Sequence, residues 1–369
     1  MKFNLIKIKP CDNTFFGDGN QFDFDISRIM KSKNTPYPSV FLGAIFTATL
    51  TYNDDFRKSF FENLKYDHED ILEIGQVYLF NEKDNEIYIK APMDLFMNLK
   101  GDIDFGKFKK EDNRLNSLSY NYILINPKDK DYKRLRNMYI NIKNIYDSYL
   151  RKQRLRIKLK SEDEIFIKNY KVGVGINKKT KNIEEGKLYK IEQTEFMNNN
   201  WSYIVEYKIK KDYLKDSIFY NEIEIKDLHK GYLKLGGENK ACKFEIIDNK
   251  EIKKFNLKKE QPLINKTYKI IFTSDAYFND SINKVFKDLG IKILGLSNDK
   301  PIYIGGYDMQ KKGSAKKGSV RTMYKGYSAG TVILVEVTNN YSQDIDIYEV
   351  LKNNNVKGFN NLVIIQEDL

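Results

Sequence analysis

The chain has 369 residues, of which 41% are hydrophobic and 31% charged, and its formal net charge is +12. That length supports one large or two ordinary cores, and the positive excess favours a polyanionic or acidic partner. Cys11 and Cys242 lack any C-x-x-C spacing, which excludes a disulfide framework and a thiolate zinc site and predicts two buried, reduced thiols.

The opening MKFNLIKIKP alternates as a strand rather than a signal peptide, and no run has the ~18 apolar residues of a membrane span, so a soluble cytoplasmic protein is expected. PCDNTFFGDGNQF then forms a turn-rich loop, in which Gly17 and Gly19 around Asp18 permit close backbone approach. An ordinary strand-to-helix loop accounts for the same residues. Pro36-Tyr37-Pro38-Ser39 leads into an apolar helix with Gly43 where a strand would approach closely, and its N-terminus near Ser39 could accept a phosphate. Val77 to Phe80 and Ile87 to Lys90 read as a hairpin.

Leu135, Met138, Ile142, Ile145 and Tyr149 recur at helical spacing among lysines and arginines, predicting a long basic helix over Asp129 to Arg156. A domain boundary near its end divides the chain into 1–155 and 156–369. Two β runs flank NKKTKN, which holds Lys178 and Lys179, and read as a hairpin with Gly173 and Gly175 at bends. Further strands are expected over Trp201 to Ile209, Tyr232 to Leu235, Ala241 to Ile247, Tyr268 to Thr273 and Ile291 to Leu294, with a helix over Ser281 to Leu289.

Ile302 to Ile304 and Thr331 to Val337 are β runs that hold a glycine- and lysine-rich loop between them. The loop carries Gly305, Gly306, Gly313, Gly318, Gly326 and Gly330 with Lys311, Lys312, Lys316, Lys317, Arg321 and Lys325. Glycine exposes backbone N–H groups and the cations supply charge, as in a phosphate-binding loop that orders on nucleic acid. A solvated basic loop is the plainer reading.

Other sites fail on chemistry. Gly101 to Lys107 is near a P-loop, but Phe108 has no hydroxyl for Mg²⁺, and Asp102 and Asp104 repel phosphate. His68 within DHED reads as a surface histidine, and His229 beside Lys230 and Tyr232 is the nearest thing to an RNA-cleaving base. No metal, nucleotide or other cofactor is expected. Residue pattern alone indicates a basic α+β protein that binds nucleic acid.

Several stretches resemble a known family, the third-named subunit of Cmr, the type III-B CRISPR RNA-guided effector, within the RAMP superfamily. They are Pro10, Asp12, Phe15, Phe16, Asp18, Gly19 and Phe22; the Pro36-to-Ile45 segment; and Val172, Gly173, Ile176, Asn177, Thr180, Glu185, Gly186, Leu188 and Tyr189. Leu235-Gly236-Gly237-Glu238, Gly305-Gly306-Tyr307-Asp308 and Ser328-Ala329-Gly330-Thr331-Val332 complete the set, while Gly358-Phe359-Asn360-Asn361 lacks the family's second glycine.

The resemblance implies two ferredoxin-like, RRM-related domains, each an antiparallel sheet with helices on one face and glycine-rich loops. It implies a non-catalytic subunit in antiviral defence that holds the 5′ repeat-derived tag of the CRISPR RNA. The large polymerase-like subunit and a backbone RAMP subunit would be its neighbours, with no small-molecule substrate. RNA contacts are then expected from Phe16, Gly17, Asp18, Gly19, Ser39, Lys178, Lys179, Gly236 and Gly237. The loop would add Gly305, Gly306, Tyr307, Lys311, Lys312, Lys316, Lys317, Arg321, Tyr324 and Lys325, with Phe16, Tyr307 and Tyr324 as base-stacking rings. The competing reading is a metal-independent RAMP endoribonuclease that processes precursor CRISPR RNA through His229.

Overall fold

The structure, a computed structural model, describes residues 3–18, 29–62, 67–111, 120–127, 131–145, 147–148, 157–177, 179–210, 229–252, 261–305, 307–308, 319–320, 322–342, 344–352 and 355–367. The protein is mixed α+β, rich in antiparallel sheet with few helices among these residues. It forms two compact units, one from residues 1–86 and 162–248, the other from 87–161 and 249–369. These differ from the sequential division at 155/156, a position outside the described residues, because strands far apart in sequence are hydrogen-bonded neighbours.

In the first unit the four principal strands, in chain order, are Asn4–Pro10, Leu72–Asn81, Trp201–Ile209 and Lys240–Ile247. Asn4–Pro10 pairs antiparallel with both Trp201–Ile209 and Lys240–Ile247, and Leu72–Asn81 pairs antiparallel outside Trp201–Ile209. The order across the sheet is therefore second, third, first, fourth, with Lys230–Leu235 added beyond the fourth. Helix Pro38–Tyr52 follows the first strand and starts on a proline, whose fixed φ suits a first turn. It buries Phe41, Leu42, Ile45 and Phe46. Gly43 is exposed, and a β-carbon there would meet nothing within 4 Å, so close strand approach is not its role.

The second unit repeats this plan with Thr267–Phe272, Ile291–Ser297, Val332–Val337 and Leu362–Gln366, in the order fourth, first, third, second and with every neighbouring pair antiparallel. Helix Ile282–Asp288, capped by the Ser281 side chain, follows the first strand and helix Ile347–Lys352 the third. Ile282, Phe286, Ile347 and Leu351 of these helices share one core with Tyr268, Ile270, Phe272, Ile333 and Val335, so both helices cover the same face of the sheet. At the opposite parity Lys269 is only 4% exposed, and its Nζ pairs with Asp94, itself 0% exposed, at 3.2 Å and with Glu367 at 3.0 Å.

The expected basic helix over Asp129 to Arg156 is replaced, in its described part, by strands Lys133–Arg134 and Met138–Asn141 and one helical turn, Ile142–Ile145. Tyr139 and Ile140 pair on both sides, with Lys160 and Leu159 and with Lys90 and Ile89, so tertiary pairing overrides the helical spacing. Cys11 is exposed rather than buried. Cys242 is buried, which pushes its thiol up to about 12, with Cys11 adding to the effect. No helix among the described residues is long and apolar enough to cross a membrane.

Candidate nucleic-acid interface

In any sheet of this order the end of the first strand meets the start of the fourth. The first unit uses this meeting place to gather the glycine motifs. Gly237 N–H donates to Phe15 O at 2.9 Å. Gly236 stands at φ +71, where a β-carbon would lie 2.6 Å from Phe15 O, so only glycine fits. Thr14 and Thr194 exchange backbone hydrogen bonds of 2.8 Å each, which ties the loop to strand Ile183–Phe196. Glu238 accepts from Gln193 at 2.7 Å and pairs with Lys171 at 3.0 Å, so the acidic end of the L-G-G-E turn grips the long hairpin. Asp12 accepts from Asn13 N–H at 2.7 Å and from Lys240 at 3.3 Å, and these bonds hold its carboxyl below the ordinary range.

Among the expected RNA contacts in this unit, Phe16 is 3% exposed, so its ring is core and presents no stacking face. Gly17 bridges to Ser32, Gly237 and Lys179 are exposed, and Ser39 lies in the first turn of its helix. Gly19 and Lys178 lie outside the described residues. The hairpin Phe166–Ile176 and Ile183–Phe196 forms as expected. Its register places Tyr170, Val172 and Val174 on one face with Leu188 and Lys190, and these apolar side chains are exposed by 40% to 62%.

The second unit builds the corresponding place from Asp275, Ala329 and Asn360. Asp275 Oδ1 accepts from Ala329 N–H at 2.9 Å, and its backbone O accepts from Asn360 N–H at 3.0 Å. Asn360, 1% exposed, occupies φ +62 where the family pattern has its second glycine, a conformation asparagine tolerates better than most residues. Its side chain then gives what glycine cannot: Oδ1 accepts from Tyr277 N–H at 2.8 Å, and Nδ2 donates to Tyr277 O at 2.9 Å and Leu351 O at 3.1 Å. Asn360→Ala is expected to cost about 2–4 kcal/mol, from three lost buried bonds and the left-handed backbone. Hydrogen exchange at the Tyr277 amide and a urea titration check this; an unchanged Tyr277 amide would refute it.

Gly305 follows strand Ile302–Ile304, which pairs antiparallel with Tyr324–Gly326, while Tyr307–Asp308 pairs with Ser319–Val320. Two short ladders thus clamp the base of the Gly/Lys loop. Tyr303, 47% exposed, lies directly opposite exposed Lys325, and Met323 beside them is 55% exposed. Tyr324 packs on Tyr277, with centroids 4.8 Å apart. Gly306, Lys311, Lys312, Lys316, Lys317 and Arg321 lie outside the described residues, as does the Tyr307 side chain.

Sequence reasoning singled out neither Asp275 nor Asn360 as contributors to this place; the only signal was a carboxylate just after a strand and an asparagine in a glycine's place. His68 is not free-standing: it begins a helical turn capped by Asp67, and its ring contacts Asp67 and lies 5.9 Å from that of Phe46. His229 is exposed, immediately before Lys230–Leu235. Among the described residues no group of three or more His, Cys, Asp or Glu side chains could hold a metal ion.

Fold and loops define a basic, two-unit α+β protein whose glycine motifs cluster at matching places in its two sheets. The family described as CRISPR-associated protein (Cas_Cmr3) matches residues 6–367. The chain belongs to this family, that of the third-named subunit of the type III-B Cmr complexes. No curated protein matches it. Among solved structures it is similar to a chain of the type III-B Cmr-beta complex bound to cognate target RNA and AMPPnP, at 15% identity and TM-score 0.48, covering 97% of this chain and 95% of that one. A chain of the same complex bound to cognate target RNA gives 17% identity and TM-score 0.48 over 97% and 96%. A CRISPR protein from Archaeoglobus fulgidus gives 11% identity and TM-score 0.27 over 100% of both chains.

Proposed function

We propose that this chain is the non-catalytic CRISPR RNA-binding subunit of a type III-B Cmr effector, holding the 5′ tag and docking the large polymerase-like subunit and a backbone RAMP subunit. The observation that carries the reading is the clamped base of the Gly/Lys loop, which fixes both ends of a segment bearing Lys311, Lys312, Lys316, Lys317 and Arg321. Each unit has the fourth-first-third-second strand order of a ferredoxin-like sheet, which supports the two-domain RAMP reading. The exposed apolar face around Val172 and Leu188 is the kind of surface a neighbouring subunit covers.

Binding of labelled tag RNA in EDTA tests the reading: intact bound RNA supports it, whereas cleavage that disappears in His229→Ala supports the endoribonuclease. Neutralising Lys316 and Lys317 together should lower affinity and shallow the log-affinity against log-salt slope by about 1 to 1.5, at roughly 0.7 per phosphate. The loss should be nearly equal for any tag sequence, since backbone contacts carry no base information. An unchanged affinity and slope would remove the loop from the interface.

A further inference from the structure

The hairpin of Lys230–Leu235 and Lys240–Ile247 has two unlike faces. Leu233, Leu235, Cys242 and Phe244 are all at most 5% exposed. On the same side, a β-carbon at Gly231 would meet the Tyr52 ring, which ends helix Pro38–Tyr52. At the other parity Lys230, Tyr232 and Lys234 recur at every second residue and are exposed, Tyr232 by 58%. Exposed Lys243 lies directly opposite Tyr232, and Lys9 opposite Lys243. The carboxylates on this side already have lysine partners: Glu245, directly opposite Lys230, pairs with Lys7, and Glu82 pairs with Lys7 and Lys9. Among the described residues Lys230, Lys234 and Lys243 make no ion pair.

We propose that this open sheet face binds single-stranded nucleic acid, with one base stacked on Tyr232 and the backbone held by Lys230, Lys234 and Lys243. An exposed ring within a field of unpaired lysines supplies the two contacts that sequence-tolerant single-strand binding needs. Strand spacing of about 4.8 Å and an i to i+2 repeat of about 6.8 Å place every cation beside the ring. The free edge of the strand is not available at its centre: the Tyr52 hydroxyl accepts from Tyr232 N–H at 2.8 Å and donates to Tyr232 O at 3.1 Å. That blocks strand addition by a partner chain there and leaves the side-chain face as the working surface. The surface belongs to the first unit and the Gly/Lys loop to the second, and the proposal does not rest on the tag reading.

The test is fluorescence anisotropy of a labelled oligouridine with the full chain carrying Lys316→Ala and Lys317→Ala, a background that weakens any sequence-independent contribution of the Gly/Lys loop. Tyr232→Ala should weaken binding about 5- to 150-fold, as loss of one stacked base does, and Tyr232→Trp should restore it. Lys230→Ala with Lys234→Ala should shallow the salt slope by about 1.4. Far-UV circular dichroism confirms that the exposed variants fold. If Tyr232→Ala in this background binds oligouridine as its Lys316/Lys317 parent does, the proposal fails, whatever that parent does with tag RNA. If polyglutamate competes and all effects follow the lysines alone, the face is a dock for an acidic protein and the proposal is equally overturned.

Discussion

Replacing Lys269 with methionine is expected to destabilise the second unit by about 3–5 kcal/mol, because Asp94 is left as a buried carboxylate without its cation. Adding Asp94→Asn should recover most of that, since removing both charges of a buried pair is often nearly neutral. Burial draws the Lys269 ammonium down from its ordinary 10.5, but the carboxylates of Asp94 and Glu367 more than offset it and the net shift is upward. A lysine raised in the folded state contributes stability that is complete below its ordinary pKa and lost as pH rises through the folded value. The wild type should therefore keep this contribution through neutral pH and lose it only in strongly alkaline solution, while Lys269→Met shows no such loss. Urea titrations across pH with hydrogen exchange of the Thr267–Phe272 amides provide the measurement. An unchanged midpoint for the single variant would show that Asp94 finds another partner.

Gly330→Ala is expected to be nearly as damaging, at about 3–4 kcal/mol. The glycine sits at φ +91, and an added β-carbon would fall 2.4 Å from the Ala91 carbonyl oxygen. The neighbour is backbone, so no rotamer change relieves the contact. Relaxation would also pull on two short bonds, Gly330 N–H to Phe272 O at 2.7 Å and Met93 N–H to Gly330 O at 2.8 Å. Lost exchange protection at Met93 together with a lower thermal midpoint confirms the effect; a variant that melts with the wild type contradicts it. The positive φ and the close Ala91 carbonyl then account for the glycine of the S-A-G-T-V motif through folding.

These two positions show which parts of the molecule were open to sequence reading. Runs such as Thr331 to Val337, apolar at both parities, were recognisable as strands covered on both faces, and Val332 to Val335 are indeed at most 1% exposed. The glycine motifs were legible because turns with positive φ leave few alternatives. Lys269 was not, since one lysine inside TYKIIF looks like an outward-facing residue until Asp94, 175 positions earlier, is placed beside it. The misread helix over Asp129 to Arg156 failed for the same reason: Ile140 takes its conformation from Ile89 and Leu159, which no local window contains. Lys230–Leu235 was read only as a strand over Tyr232 to Leu235, without its two unlike faces. Which face would be open depended on Tyr52, which lies far from it in sequence.

The interleaving of the two units sets an order of events during synthesis. Residues 1–248 contain everything the first unit needs, so it closes while the second is still half made. Residues 87–161 emerge early, yet the sheet order places their unit's closing strand at Leu362–Gln366. At about 5–20 residues per second that interval is roughly 10–40 s. Throughout it Phe108, only 7% exposed in the finished protein, sits on strand Lys107–Lys110 of a sheet whose other strands, apart from Tyr122–Ile125, are still to be made. The nascent chain is thus most vulnerable to aggregation through a segment from its first half, and a chaperone acting on it would have the most to protect there.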